Sequence, residues 1–224
     1  MMREAVPALK PPALATRRHG MIKALFAVLA ALFALCGAAM AIETPRYAVE
    51  LHDGPIEVRR YAPLLAAEVR VSGERTQAIN QGFRLLADYI FGGNSASQKV
   101  AMTAPVTQSK PEKIAMTAPV TQQSAGAAGM WAVRFIMPAQ YTRETIPTPL
   151  NAAVALVEEP ARRFAAIRFK GFAEAAALVR KESALRDFLA ARGLEPAGPA
   201  VYAYYDPPWT LPFLRRNEIL IPLA

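Results

Sequence analysis

The chain reads as an α+β domain in which two long α-helices lie on an antiparallel sheet, partly closed into a distorted β-barrel. Three observations predict this. Runs of two-residue apolar alternation give way to a helical period twice, in the same order. The strand-to-helix junction is nearly repeated: residues 67–73 are AEVRVSG, residues 165–171 are AAIRFKG, and each runs directly into a helix. No linker or low-complexity stretch separates the halves, so two ββαββ-type units make one domain from residue 42 to 224. The plan is a pseudo-twofold internal repeat.

In the first half, YAVELHD from Tyr47, IEVRRYA after a Gly54-Pro55 turn, and LLAAEVRV from Leu64 read as strands. Ser72-Gly73-Glu74 opens a helix with Ile79, Phe83, Leu86 and Ile90 at three- and four-residue spacing, and Gly92-Gly93 ends it. WAVRFIM from Trp131 is the next strand. In the second half AVALVEE and RFAAIRFKG are strands, residues 173–192 form a helix ended by Gly193, and AVYAYYD and NEILIPL close the sheet. The charged positions Arg75, Arg84 and Asp88 on the first helix are expected to be solvated. So are Arg180, Lys181, Glu182, Arg186 and Asp187 on the second.

Residues 1–41 stand apart. Met21-Ile22-Lys23 is a positive start, residues 24–38 are apolar without charge, and Ala39-Met40-Ala41 is a small-x-small cleavage pattern. This predicts an N-terminal extension with a cleavable signal peptide, and a periplasmic or secreted protein. The apolar run falls short of the ~20 residues of a membrane span, so no stable membrane anchor is expected. Beyond residue 41 there remain 21 basic and 17 acidic residues, a net charge of +4 that offers no footprint for nucleic acid. The one cysteine, Cys36, leaves with the signal, so the exported domain rests on its core alone.

One segment is written twice. Residues 99–108 are KVAMTAPVTQ and residues 113–122 are KIAMTAPVTQ. Two copies are too few for a solenoid, so this is a local duplication. Proline cannot donate to a β-ladder, so Pro105 and Pro119 should sit at an edge, a bulge or a strand start. The second copy should lead into the hairpin before Trp131, and the first should be an added extended segment.

Catalytic constellations are missing from the sequence. The mature chain has one histidine, His52, and no cysteine, which excludes a Cys–His nucleophile. No paired-Cys or HxxH spacing suggests zinc, and Gly92-Gly93-Asn94-Ser95 lacks the pattern of a phosphate loop. IAMTAPV at 114–120, FIMPAQY at 135–141 and YDPPWTLPFLRRNEI at 205–219 resemble the SOUL heme-binding family, with the likeness running from about residue 43 to 223. The resemblance implies a distorted β-barrel with two long helices. It also implies heme or a related tetrapyrrole, held in an exposed apolar groove by a non-catalytic carrier, buffer or sensor.

A porphyrin needs an apolar platform, a soft or imidazole ligand for iron, and cations for two propionates. The candidates for thioether and pliant apolar surface are Met102, Met116 and Met137. Lys99, Lys113, Arg59 and Arg60 are the candidate cations. His52 is the candidate iron ligand, set against an ordinary role as an exposed turn residue. Tyr202 and Tyr204 alternate onto one strand face, which puts Tyr204 forward as a groove residue. Asp206, Arg215, Arg216 and Glu218 are expected to brace the last hairpin. Two rival readings stand beside this one. The first is a hydrolase of bulky apolar molecules using a pocket acid such as Glu68 near Tyr202 or Tyr204. The second is a binder of another apolar ligand or of a partner protein.

Overall fold

The computed structural model describes residues 42–95, 111–207 and 209–224, and residues 42–224 form one compact unit. Strands β1 (Tyr47–Asp53), β2 (Ile56–Tyr61) and β3 (Leu64–Ser72) lead into helix α1 (Arg75–Phe91). After the two-residue β4 (Asn94–Ser95) come β5 (Val120–Ser124), β6 (Met130–Ile136) and β7 (Thr148–Pro149). Then β8 (Ala155–Glu159) and β9 (Arg162–Lys170) lead into α2 (Ala175–Ala191), and β10 (Val201–Tyr204) and β11 (Arg216–Pro222) close the chain. Each helix enters through a glycine in a backbone region closed to side chains, Gly73 at φ +121° and Gly171 at φ +103°. These are the glycines of the two matching junction segments.

Nine strands form one antiparallel sheet in the order β1-β2-β9-β11-β10-β5-β6-β3-β8, with β4 and β7 paired separately. The end strands β1 and β8 do not pair with each other, so among the described residues the sheet is open. It is also curled. Side chains from β2, β9, β11, β10, β5, β6 and β3 line one small cavity, although these seven strands laid flat would span about 29 Å at ~4.8 Å per strand. The fold is a half-barrel flanked by two helices.

Alternation along the strands divides the sheet into two faces. Leu65, Ala67, Val69 and Val71 of β3 pack with Val133 and Phe135 of β6 under α1, whose Ala78, Leu86, Tyr89 and Ile90 are buried against them. A second, separate cluster joins Ala165, Ile167 and Phe169 of β9 to Ile219 and Ile221 of β11 under Leu178, Leu185 and Leu189 of α2. Each fully buried leucine or isoleucine here contributes about 1.5–3 kcal/mol. The helix α1 is pressed close to its floor at Gly82, where a Cβ would lie 2.6 Å from the Val133 side chain.

The duplicated segment is placed in part. The first copy, with Lys99 and Met102, falls outside the described residues. The second passes Pro119 and enters β5 at Val120, so its proline stands at a strand start as expected. Asn94 clamps the chain on both sides of the intervening segment, donating to the Tyr89 and Glu112 carbonyls at 2.7 and 2.8 Å and accepting from the Glu112 amide.

On the face turned away from the helices, a buried ion-pair hub ties β2, β9 and β11. Arg59, 1% exposed, donates to both carboxylate oxygens of Glu218 at 2.6 and 3.1 Å, and to Glu57 at 2.7 Å. Glu218 also accepts from Arg168 at 3.1 Å, Arg216 at 2.7 Å and the Tyr205 hydroxyl at 2.8 Å. Burial alone would raise the Glu218 pKa. The bonds and charges of Arg59 and then Arg216 overrule it and bring it down from 4.5 to about 2.

Two outcomes follow from this packing. Gly82→Ala gains up to about 1 kcal/mol of helix propensity but meets an overpacking cost of about 1–3 kcal/mol. Thermal unfolding should therefore come at lower temperature, and an unchanged midpoint would contradict the close approach. The Glu218 contribution is complete above pH 4.5 and is lost as pH falls toward about 2, because the folded-state pKa is the lower one. Glu218→Gln should cost about 3–5 kcal/mol at neutral pH by leaving Arg59 buried without its partner. It should also flatten the acid limb of the stability profile measured by urea unfolding.

Candidate functional site

The two core clusters meet over strands β5 and β10, and there the side chains turn polar. Tyr202 is paired with Gln122 and Tyr204 with Val120 across the ladder, and period two sends Gln122, Tyr202 and Tyr204 toward the helices. Arg75, the first residue of α1, closes the seam from one side. Its Nη1 donates to the Tyr204 hydroxyl at 2.9 Å, and its guanidinium lies 5.5 Å from the centre of the Tyr202 ring. From α2, Glu182 accepts the Tyr202 hydroxyl at 2.9 Å and is steadied by Arg186 at 2.7 Å.

Burial first, then the Glu182 bond and charge, push the Tyr202 pKa up to about 12. Burial likewise raises Tyr204, against the opposing charge and bond of Arg75. At neutral pH both present neutral phenols. Gln122 is fully buried and its Nε2 donates to the Arg75 carbonyl at 2.8 Å. Its Oε1 has no hydrogen-bond partner among the described residues. A buried acceptor without a donor costs about 1–3 kcal/mol, so this seam is a locally unfavourable spot in the packing.

Next to the seam lies an apolar rim. Phe172, just before α2, and Trp209, Leu211, Phe213 and Leu214 in the loop before β11 are each 55–82% exposed. The loop is held in place. The Gly171 amide donates to the Pro212 carbonyl at 3.0 Å, Asn217 donates to the Gly171 carbonyl at 2.9 Å, and the Arg216 amide donates to Asp206. The Arg215 guanidinium stands 5.3 Å from the centre of the Phe172 ring. Arg75 joins rim to seam, reaching the Ala173 carbonyl at 3.5 Å. Large apolar side chains gathered on a fixed surface mark a contact site.

The candidates read from the sequence are dispersed. Tyr204 alone stands in the seam. His52 is on the β1–β2 hairpin, 65% exposed in its side chain and 3.4 Å from Glu57. It is four strands from Tyr204, about 19 Å along the sheet. Arg59 is in the buried hub, and Arg60 is exposed and paired with Glu50 at 2.6 Å. Met137 is buried in the core under α1, while Met116 is 37% exposed and Lys113 is exposed. Glu68 lies on the face away from the helices, bonded to Arg134 at 2.7 Å and Arg70 at 3.1 Å, not beside Tyr202 or Tyr204. Arg75 and Glu182, expected to be solvated, are instead structural members of the seam. Arg75 reaches across to Tyr204 and Ala173 of the other half, and Glu182 points down onto Tyr202 of β10, contacts that a charge pattern along one helix does not reveal. The bracing of the last hairpin by Asp206, Arg216 and Glu218 matches the expectation.

Comparison with known proteins now bears on this geometry. The family model described as SOUL heme-binding protein matches residues 42–222. The chain belongs to the SOUL heme-binding protein family. Human "Heme-binding protein 2" is 40% identical over 75 residues, which is 31% of this chain and 37% of that protein. The SOUL chain thus spans little more than a third of the length of this curated relative. Among solved structures, the EcmrR C-terminal domain superimposes with a TM-score of 0.55 at 10% identity, covering 80% of this chain and 98% of that one. EcmrR in its DNA complex gives 0.55 at 10% identity, covering 93% and 69%. At such identities these two likenesses concern the fold alone.

Proposed function

We propose that residues 42–224 form an exported, non-catalytic binding domain for heme or a related porphyrin, acting as carrier, buffer or sensor. The observation that carries the reading is the polar seam beside the exposed apolar rim. Membership of the SOUL family and the partial likeness to a human protein named for heme binding support it. Export rests on the signal-like residues 1–41.

The residues at the seam fit a flat amphiphilic macrocycle lying on the surface. Phe172, Trp209 and Phe213 offer an apolar platform, and Arg75 offers a cation for a propionate. Tyr204, whose hydroxyl is held by Arg75, offers a neutral polar edge beside that cation. The cavity on the opposite face, at about 150 Å³, is smaller than the roughly 300–1,000 Å³ of ordinary ligand pockets and does not take a porphyrin. The buried carboxylates Glu68 and Glu218 are both engaged by arginines, which favours binding over hydrolysis. The seam also suits a pseudo-twofold reading, in which β3-β6-β5 under α1 and β9-β11-β10 under α2 are related units.

Titration of hemin into the purified protein should shift the Soret band and saturate at one equivalent. Arg75→Ala combined with Tyr204→Phe should weaken binding about tenfold or more, the loss of charge-assisted bonding at the seam. His52→Ala should leave the spectrum unchanged. Absence of saturable binding, or loss of the spectrum on replacing His52, would overturn the proposal.

A further inference from the structure

The face turned away from the helices carries a cavity that the porphyrin reading does not use. Its walls come from strands on both sides of the curl: Tyr61, Ile136, Phe164, Val201 and Leu220 are among its apolar lining. Its volume of about 150 Å³ is room for a single ring, and it opens to solvent at the side where Glu159 and Arg162 stand. The aromatic side chains are fixed before any ligand arrives. Tyr61 meets Phe164 edge to face at 5.6 Å and 89°, and its hydroxyl accepts from Arg59 at 3.1 Å. Tyr205, also in the lining, is tied to Glu218. A pre-formed aromatic wall binds a ring without an ordering cost.

The polar groups of the lining set the other half of the ligand. Arg134 is occupied: it donates to Glu68 at 2.7 Å and to Gln123 at 3.2 Å, and Glu159 lies 3.6 Å away. Arg162, the first residue of β9, pairs with Tyr61 through the backbone ladder, lines the cavity and is exposed, and its guanidinium has no hydrogen bond or ion pair among the described residues. The charged lining is therefore Arg134 and Arg162 against Glu159, an excess of one positive charge. An apolar ring-sized space ending at an unpaired guanidinium matches an organic acid, since arginine engages a carboxylate through two parallel bonds.

We propose that this cavity is a second ligand site, for a small carboxylic acid bearing one aromatic ring or a short branched chain. The apolar part sits between Tyr61, Phe164 and Leu220, and the carboxylate pairs with Arg162. The site is separate from the helix seam and stands or falls independently of porphyrin binding.

The test is an NMR titration of the purified protein with phenylacetate and with its neutral counterpart phenylacetamide. Phenylacetate should saturate, shift the ring signals of Tyr61 and Phe164, and bind about tenfold more tightly than the amide, one charge-assisted bond being at stake. Arg162→Ala, at an exposed position, should remove that preference while the amide's affinity stays as it was. Leu64→Trp, at the partly exposed rim of the cavity, should weaken both. Equal affinity for acid and amide would overturn the proposal. So would shifts confined to other parts of the protein, or an Arg162→Ala variant that binds phenylacetate as tightly as the parent.

Discussion

The structure turns on one buried carboxylate. Glu218 has no exposed side-chain surface, yet it stays ionised because Arg59, Arg168, Arg216 and the Tyr205 hydroxyl converge on it from β2, β9, β11 and the preceding loop. Removing such a charge from water costs several kcal/mol, and only a full set of donors offsets it. Those donors come from three neighbouring strands, so the hub is satisfied in one register only. The consequence reaches the far side of the sheet. Alternation sends Ile219 and Ile221 into the α2 core only if Glu218 points the other way.

With one face occupied by ion pairs and aromatic rings, the helix face is left to carry two separate apolar cores. Neither core extends across the β5–β10 pairing, and the gap is filled by Arg75, Gln122, Glu182, Tyr202 and Tyr204. A polar seam between two dry cores is a weak place for stability and a good place for recognition. Its phenols are held neutral, its cation is fixed by a hydrogen bond, and one buried amide oxygen has no donor among the described residues. The apolar rim at Phe172 and residues 209–214 adds the surface that a large flat ligand needs.

Much of the fold was legible because period two and period 3.6 are strong local signals. Every long strand and both helices fall within about two residues of the sequence reading, and the glycines at 73 and 171 mark where each helix begins. Of the proposed seam, the sequence reading named only Tyr204 as a groove residue. Arg59 and Arg60 are neighbours with the same chemistry. One is buried on Glu218 and the other is exposed on Glu50, and that choice depends on a residue 159 positions away. Arg75 and Glu182 look like surface charges along their own helices, and only the β5–β10 pairing brings them onto a common floor. The distorted, partly closed barrel expected from the sequence is a curled half-barrel, open among the described residues because β1 and β8 do not pair with each other.

The central claim is that ligand recognition belongs to the helix seam. Amide NMR shift mapping with gallium protoporphyrin IX, a diamagnetic stand-in for heme, addresses it directly. The largest changes should fall at Arg75, Gln122, Tyr202 and Tyr204, with further changes at Phe172 and residues 209–214. Changes centred instead on the His52 hairpin, on Lys113 and Met116, or on the hub around Glu218 would contradict the account.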